Sequence, residues 1–308
     1  MGAMLTQPSA ASGRKHHTEV PMMQSYSATP RFPDKIELCG EKIDLRRYDM
    51  HERYERELTS MCYTHNATLL ALKRANRLFP ILAPIIKEEG APADLIYLCV
   101  IESTLNPRAY SGAKAAGLWQ FIAETAKRYG LEVTDEVDER YHVEKATRAA
   151  CRYLKEAYGK YGSWMSAVCS YNAGQARITK QLQEQQAETA LDLLLVEETS
   201  RYPFRMMAMK EVMSDPYRYG FVLTSDQLYR PIRTHKVKVT QTIESLADFA
   251  RQHKCTYLQL KDFNPWLRST KLTVAKGKSY TLLLPDEDDL YYDGKSFDVY
   301  NRNWVIDK

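Results

Sequence analysis

Leu95-Ile96-Tyr97-Leu98-Cys99-Val100-Ile101-Glu102-Ser103-Thr104-Leu105-Asn106-Pro107 is the stretch on which the reading of this chain turns. Pro92 ahead of it suits the first turn of a helix. The helix predicted over 93–103 is almost wholly apolar and stops before Asn106-Pro107, because proline disfavours helix in the residue before it. Glu102 ends it, one turn beyond Leu98 and Cys99. A carboxyl group there should be partly desolvated, which raises its pKa and keeps it protonated near neutral pH. A protonated carboxyl is a proton donor to a leaving oxygen. Taken by itself, a solvated helix-terminal Glu is the competing reading.

Outward from this point the pattern stays helical. A stripe through Leu58, Met61, Cys62, His65, Leu69, Leu70, Leu72 and Lys73 gives helix over 44–79, which Pro80 and Pro84 should punctuate. A short apolar helix over 79–87 is closed by Gly90 and Pro92. After a loop with Ser111, Gly112 and Gly117, helices are expected over 119–129, 143–161, 164–171, 176–186 and 202–213. Past 216–220 the pattern changes to a strand over 234–241, helices over 243–253 and 257–263, and a strand over 279–284. The fold class is mainly α: an all-α domain followed by a small β-α-α-β module. The expected division is a flexible leader at 1–35, a helical domain at 36–218, and the module with its tail at 219–308, core 235–285.

With 308 residues, 44% hydrophobic and 27% charged, the chain can bury a sizeable core and has room for two domains. A net charge of +4 is too small and scattered to point to nucleic acid. The 21 tyrosines suit sugar binding, though most should be packing residues. No apolar run is long enough to span a membrane. Met1-Gly2-Ala3-Met4 looks like a cloning remnant, and the polar start reads as a cytosolic chain or one whose export signal has been removed. Cys39, Cys62, Cys99, Cys151, Cys169 and Cys255 have no regular spacing, and those in apolar helices read as buried free thiols. The seven His form no cluster at ligand spacing, so no metal or cofactor is expected.

Four motifs give the helical part a family likeness. Ile101-Glu102-Ser103-Thr104-Leu105-Asn106-Pro107-Arg108-Ala109, then Ser111 and Ala116-Gly117-Leu118-Trp119-Gln120-Phe121-Ile122, resemble the first two motifs of lytic transglycosylases with a goose-lysozyme-like fold. Ser170-Tyr171-Asn172-Ala173-Gly174 resembles the third, with Ser170 where Ala is usual, and Glu198-Thr199-Ser200-Arg201-Tyr202 the fourth. The wording around Gln120, with Asp138-Glu139-Arg140, is similar to the membrane-bound D branch. The resemblance covers about residues 90–213. It implies Glu102 as the single acid and then base, Ser103 orienting it or contacting sugar, and Gln120 lining the cleft. It also implies Tyr171 and Asn172 holding the sugar, and the Tyr202 hydroxyl near the Glu102 carboxylate. Trp119 and Tyr171 as core aromatics, and Gly117 and Gly174 as turn residues, are the structural alternatives.

The activity implied is non-hydrolytic cleavage of peptidoglycan to 1,6-anhydromuramyl products by a cell-envelope monomer. Glycosidases ordinarily use two carboxylates. Asp135, Glu136, Asp138 and Glu139 are the candidates for a second one, but their polar loop should leave them solvated. A lysozyme-type hydrolase on the same fold and a catalytically silent glycan-binding protein remain the alternatives. Residues 235–285 resemble a LysM domain through Val237-Lys238-Val239, Thr242-Ile243, Leu246-Ala247, Leu260, Phe263-Asn264-Pro265, Leu282 and Leu284-Pro285. Thr240-Gln241 departs from the usual Gly-Asp, leaving glycan binding and mere packing as equal readings of the module.

Overall fold

The computed structural model describes residues 29–292 and 297–307, so nearly all of the expected leader lies outside the described residues. The chain opens with a hairpin, β1 (Lys35–Leu38) and β2 (Glu41–Asp44), paired antiparallel with Lys35 opposite Asp44. Cys39 and Gly40 turn it with φ of 53° and 81°, the left-handed pair that a two-residue hairpin needs. Sequence reading does not anticipate this hairpin, whose strands are only four residues long. Its alternation buries Ile36, Leu38 and Ile43 in the helical core, and Glu41 accepts from the Trp164 amide.

Helices α1 (Tyr48–Tyr63), α2 (His65–Glu88) and α3 (Leu95–Ser103) follow. The single helix expected over 44–79 is broken at Thr64, yet α2 continues through Pro80 and Pro84 instead of being punctuated by them. A proline inside a helix costs about 3 kcal/mol. Both rings lie on the exposed side, four residues apart, while Phe79, Leu82, Ile85 and Ile86 are buried opposite and hold the helix together. Next come α4 (Ala123–Arg128), α5 (Val143–Tyr161), α6 (Trp164–Ala173), α7 (Gln175–Glu184) and α8 (Glu197–Ser214). Helix α4 begins later than the predicted 119, because Gln120 is left-handed and Phe121 instead bridges back to Ala116. Helix α8 begins earlier than 202 and carries Pro203 within its first turns. One hydrophobic core joins Leu98, Cys99, Trp119, Leu154, Met165 and Phe204 from these elements.

The C-terminal module is β3 (Thr234–Val239), α9 (Leu246–Gln252), α10 (Tyr257–Phe263) and β4 (Tyr280–Pro285). Its strands pair antiparallel from Thr234 opposite Pro285 to Val239 opposite Tyr280. Its core takes in Ala116, Val137 and Tyr141 from the helical part. The Asp138 amide donates to Trp266 O at 2.9 Å and the Arg268 amide to Glu136 O at 2.8 Å. The stretches flanking the module pack with the helical body. Tyr229 donates its amide to Lys73 O on α2 at 3.1 Å. From the tail, Tyr300 N reaches Asn76 Oδ1 at 2.9 Å, and Trp304 Nε1 reaches Met213 O at 2.7 Å. Among the described residues no helix is long and apolar enough to cross a membrane, and all six cysteines are buried and free.

Candidate active site

Six residues of α3, including Leu98, Cys99 and Ile101, are buried, so the helix is sunk in the body nearly to its end. Thr104 and Leu105 then turn the chain with φ of 52° and 53°. Left-handed backbone costs a non-glycine residue about 1–2 kcal/mol. Burial of the Leu105 side chain, fully inaccessible here, offsets a comparable amount. Arg74 Nη1 fixes the turn by donating to Thr104 O at 2.9 Å. The abrupt stop brings Glu102 to the rim of the core, partly accessible.

Burial pushes the Glu102 carboxyl up to about 8; Arg205 opposes the rise and Glu198 adds to it. No ion pair or hydrogen bond neutralises the carboxylate among the described residues, so its proton is held by poor solvation. Glu198, Tyr202 and Arg205 lie at i, i+4 and i+7 on α8 and therefore share one face of that helix. Since Glu198 and Arg205 both act on Glu102, that face looks toward it. Tyr202 is buried and its hydroxyl has no hydrogen-bond partner among the described residues, so it makes no bond to Glu102 itself.

The other residues of the expected set are held as follows. Ser103 Oγ donates back to Cys99 O at 3.2 Å, a contact along the helix and not to Glu102. Gln120, with φ of 49°, donates from Nε2 to Gly117 O at 2.8 Å and Ala109 O at 3.3 Å. Tyr171 is partly buried, and its hydroxyl donates to Trp119 O at 2.7 Å, tying α6 to the segment that carries Gln120. Burial and the nearby Glu102 push the Tyr171 hydroxyl pKa well up. Asn172 Oδ1 accepts from Thr199 Oγ1 at 2.7 Å, leaving its amide N–H groups free to donate. Trp119 is a core residue, fully buried with Nε1 on Thr147 Oγ1 at 2.9 Å.

Gly117 is more than a turn residue. Besides its φ of 78°, a Cβ there would lie 1.9 Å from Arg140 O. The Arg140 segment differs from its reading as a solvated loop. Asp135 is exposed, but Asp138 and Glu139 are buried, because each has a cation to neutralise it. Asp138 takes a bidentate contact from Arg140, with Nη2 at 2.7 Å from Oδ2, and Glu139 pairs with Lys145. Arg140 Nη1 donates on to Lys114 O at 2.8 Å and Phe121 O at 3.2 Å, fastening both sides of the Gln120 loop. Glu136 is taken up by Thr273 of the module, whose amide donates to it at 2.9 Å. Among the described residues, the carboxylate acting on Glu102 is Glu198. Glu198 opens the fourth motif but is given no role by the sequence, and Arg205 is not singled out at all; their spacing from Tyr202 on one helix face was the available signal.

Two family profiles match the chain: the transglycosylase SLT domain over residues 80–193, and the soluble lytic transglycosylase C-terminal LysM-like domain over 235–288. The chain is 30% identical over 240 residues to membrane-bound lytic murein transglycosylase D of Escherichia coli (strain K12), a match covering 76% of this chain and 51% of that protein. It therefore spans about half the length of that relative. It is also 39% identical over 79 residues to peptidoglycan transglycosylase gp16 of Escherichia phage T7, covering 25% of this chain and 6% of the phage protein. An inactive mutant of lytic transglycosylase Slt from Pseudomonas aeruginosa superposes with a TM-score of 0.36 and 21% identity, over 43% of this chain and 23% of that one. That overlap is too partial to define the fold. The chain thus carries a transglycosylase SLT domain followed by a LysM-like C-terminal domain, and is a homologue of membrane-bound lytic murein transglycosylase D.

Proposed function

We propose that this protein is a peptidoglycan lytic transglycosylase of the cell envelope with Glu102 as its single acid/base. The observation that carries the reading is the unpaired Glu102 carboxyl at the rim of the core, whose pKa burial pushes up to about 8. In the proposed cut, Glu102 gives its proton to the glycosidic oxygen between MurNAc and GlcNAc, and the bond from that oxygen to the anomeric carbon breaks. The N-acetyl oxygen of the muramic sugar stabilises the positive carbon. The primary hydroxyl of the same sugar then bonds to that carbon and returns its proton to Glu102, closing a 1,6-anhydro ring. Atoms balance without water, and intramolecular attack removes roughly 7–11 kcal/mol of barrier through proximity.

Gln120 and Asn172 supply polar groups to the cleft, the latter as an amide donor. Tyr171, whose hydroxyl is engaged, contributes its ring, and Tyr202 offers an unengaged hydroxyl. Of the two roles implied for Ser103, its bond to Cys99 leaves the sugar contact. A second reading, a muramidase that adds water, is favoured by Glu198, which could serve as base.

The test is mass spectrometry of products released from purified peptidoglycan by the wild-type protein and by Glu102→Gln. Anhydro-muropeptides from the first and none from the second support the reading. Reducing-end products that disappear in Glu198→Gln would replace it with hydrolysis. Retained sedimentation onto the polymer without any products would make the chain a glycan binder.

A further inference from the structure

A cavity of about 500 Å3 opens beside the end of α3, between the corner joining α1 to α2 and the face of α8 that looks toward Glu102. Thr64 and Thr68 form one wall, Ile101 and Thr104 another, and Glu197, Glu198, Arg201 and Arg205 of α8 a third. Its charges are unevenly satisfied. Glu57, buried in the wall, receives Arg201 at 2.7 and 3.1 Å and Arg56 at 3.0 Å. Arg205 has no carboxylate partner among the described residues; its Nη2 touches only Ile101 O, at 3.4 Å. A guanidinium presents five donors in a planar fork that matches a carboxylate. Left with one long contact, Arg205 is an anion receptor without its anion.

We infer that this cavity takes the peptide branch of the strand being cut, with a peptide carboxylate on Arg205, so that cleavage at Glu102 is favoured on peptide-bearing strands. The inference rests on the transglycosylase reading. The N-acetylated sugars of the strand are neutral at their rings and give a cation nothing to pair with, whereas the branches are anionic. The volume lies in the range of cavities that hold small ligands. Four groups bear on Glu102: Glu198 and Arg205 from α8, Tyr171 from α6, and Cys99 from its own helix. Of these only Arg205 is cationic, and it works against protonation of Glu102. A carboxylate seated on its guanidinium cancels that opposition. The acid then stays protonated to higher pH when the branch is bound, so binding in the cavity is coupled to chemistry at the bond.

The experiment compares peptide-bearing strands with strands stripped by an amidase, for the wild type, Arg205→Met and Arg205→Lys. In the wild type, kcat/KM is expected to be roughly tenfold higher on peptide-bearing strands, and the basic limb of the kcat profile, which reports the bound complex, to be displaced upward. Arg205→Met should bring the ratio near one and make the two limbs coincide, and Arg205→Lys should restore part of the separation. As a readout without turnover, peptides released by the amidase are titrated into Glu102→Gln with and without Arg205→Met; affinity should fall roughly tenfold without the guanidinium. Coincident limbs in the wild type, or an equal loss on both substrates in Arg205→Met, would overturn the inference. Equal loss would place the lactyl carboxylate, exposed on stripped strands, on Arg205 instead. Absence of anhydro products from the wild type would strike the transglycosylase reading itself.

Discussion

The end of α3 and the segment from Asp138 to Tyr141 both take carboxylates out of water, with opposite results. Asp138 is buried under a bidentate guanidinium, and that guanidinium goes on to hold two carbonyls of the Gln120 loop. Glu102 ends an apolar helix with no cation touching it, and its proton affinity rises. Burial with a full set of partners makes scaffold, whereas burial without one stores a proton. Asp138 follows Gln120 by eighteen residues, enough to separate the two roles in sequence, yet Arg140 O packs against Gly117 and joins them in space.

Substitutions can break this contrast. The largest effect is expected at Glu102. Glu102→Gln should lose roughly a thousandfold or more in turnover, the scale of a missing general acid, while remaining folded. Its stability should also respond to pH in the reverse sense to a paired carboxylate. With the folded value raised to about 8 from 4.5, Glu102 contributes stability that is fully present below 4.5 and is lost as pH climbs toward 8. Urea titrations of the wild type should weaken by on the order of 2 kcal/mol across that window, discounted for partial exposure, and those of Glu102→Gln should not. If both proteins respond alike, the carboxyl is not held protonated by the fold.

Arg140→Met should be the most destabilising change, by about 3–5 kcal/mol in urea unfolding, because Asp138 would stay buried without its cation. Gly117→Ala follows at about 2 kcal/mol or more, through its left-handed backbone and the clash with Arg140 O. A Gly117→Ala protein as stable as wild type would show that the two segments do not bear on each other. Tyr202→Phe should give the smallest shift and the opposite sign. Removing a buried hydroxyl with no partner should raise the thermal midpoint, by about 1 kcal/mol of stability, while turnover falls.

Much of this was legible in the sequence, for identifiable reasons. α3, α5, α6 and α10 follow from apolar runs bounded by proline, glycine or a capping Ser or Thr, all local signals. The failures lie where distant contacts overrule local preference. Pro80 and Pro84 sit inside α2 because their rings face solvent while the other side packs on the core. The β1–β2 hairpin is too short to alternate audibly and is held by Glu41 on Trp164, more than a hundred residues away. At the site, Glu102 is readable from its own helix. Arg205 is not, because an Arg on α8 looks like any surface cation until the cavity beside it and the lack of a carboxylate partner among the described residues are known. The Asp138–Arg140 pair likewise reads as a polar loop until the module covers it.

The neck of the LysM-like module has a mechanical consequence. The chain leaves the helical body where Lys73 and Arg77 hold Tyr229 and Arg230, and returns where Asn76 holds Tyr300. Exit and return fall within about one turn of α2. The module is thus a handle fastened at both roots and braced against Val137 and Asp138. A pendant domain on a loose linker raises local concentration but leaves the point of attack random. Here the position of the module relative to Glu102 is set by folded contacts at its two roots and not by the length of a linker.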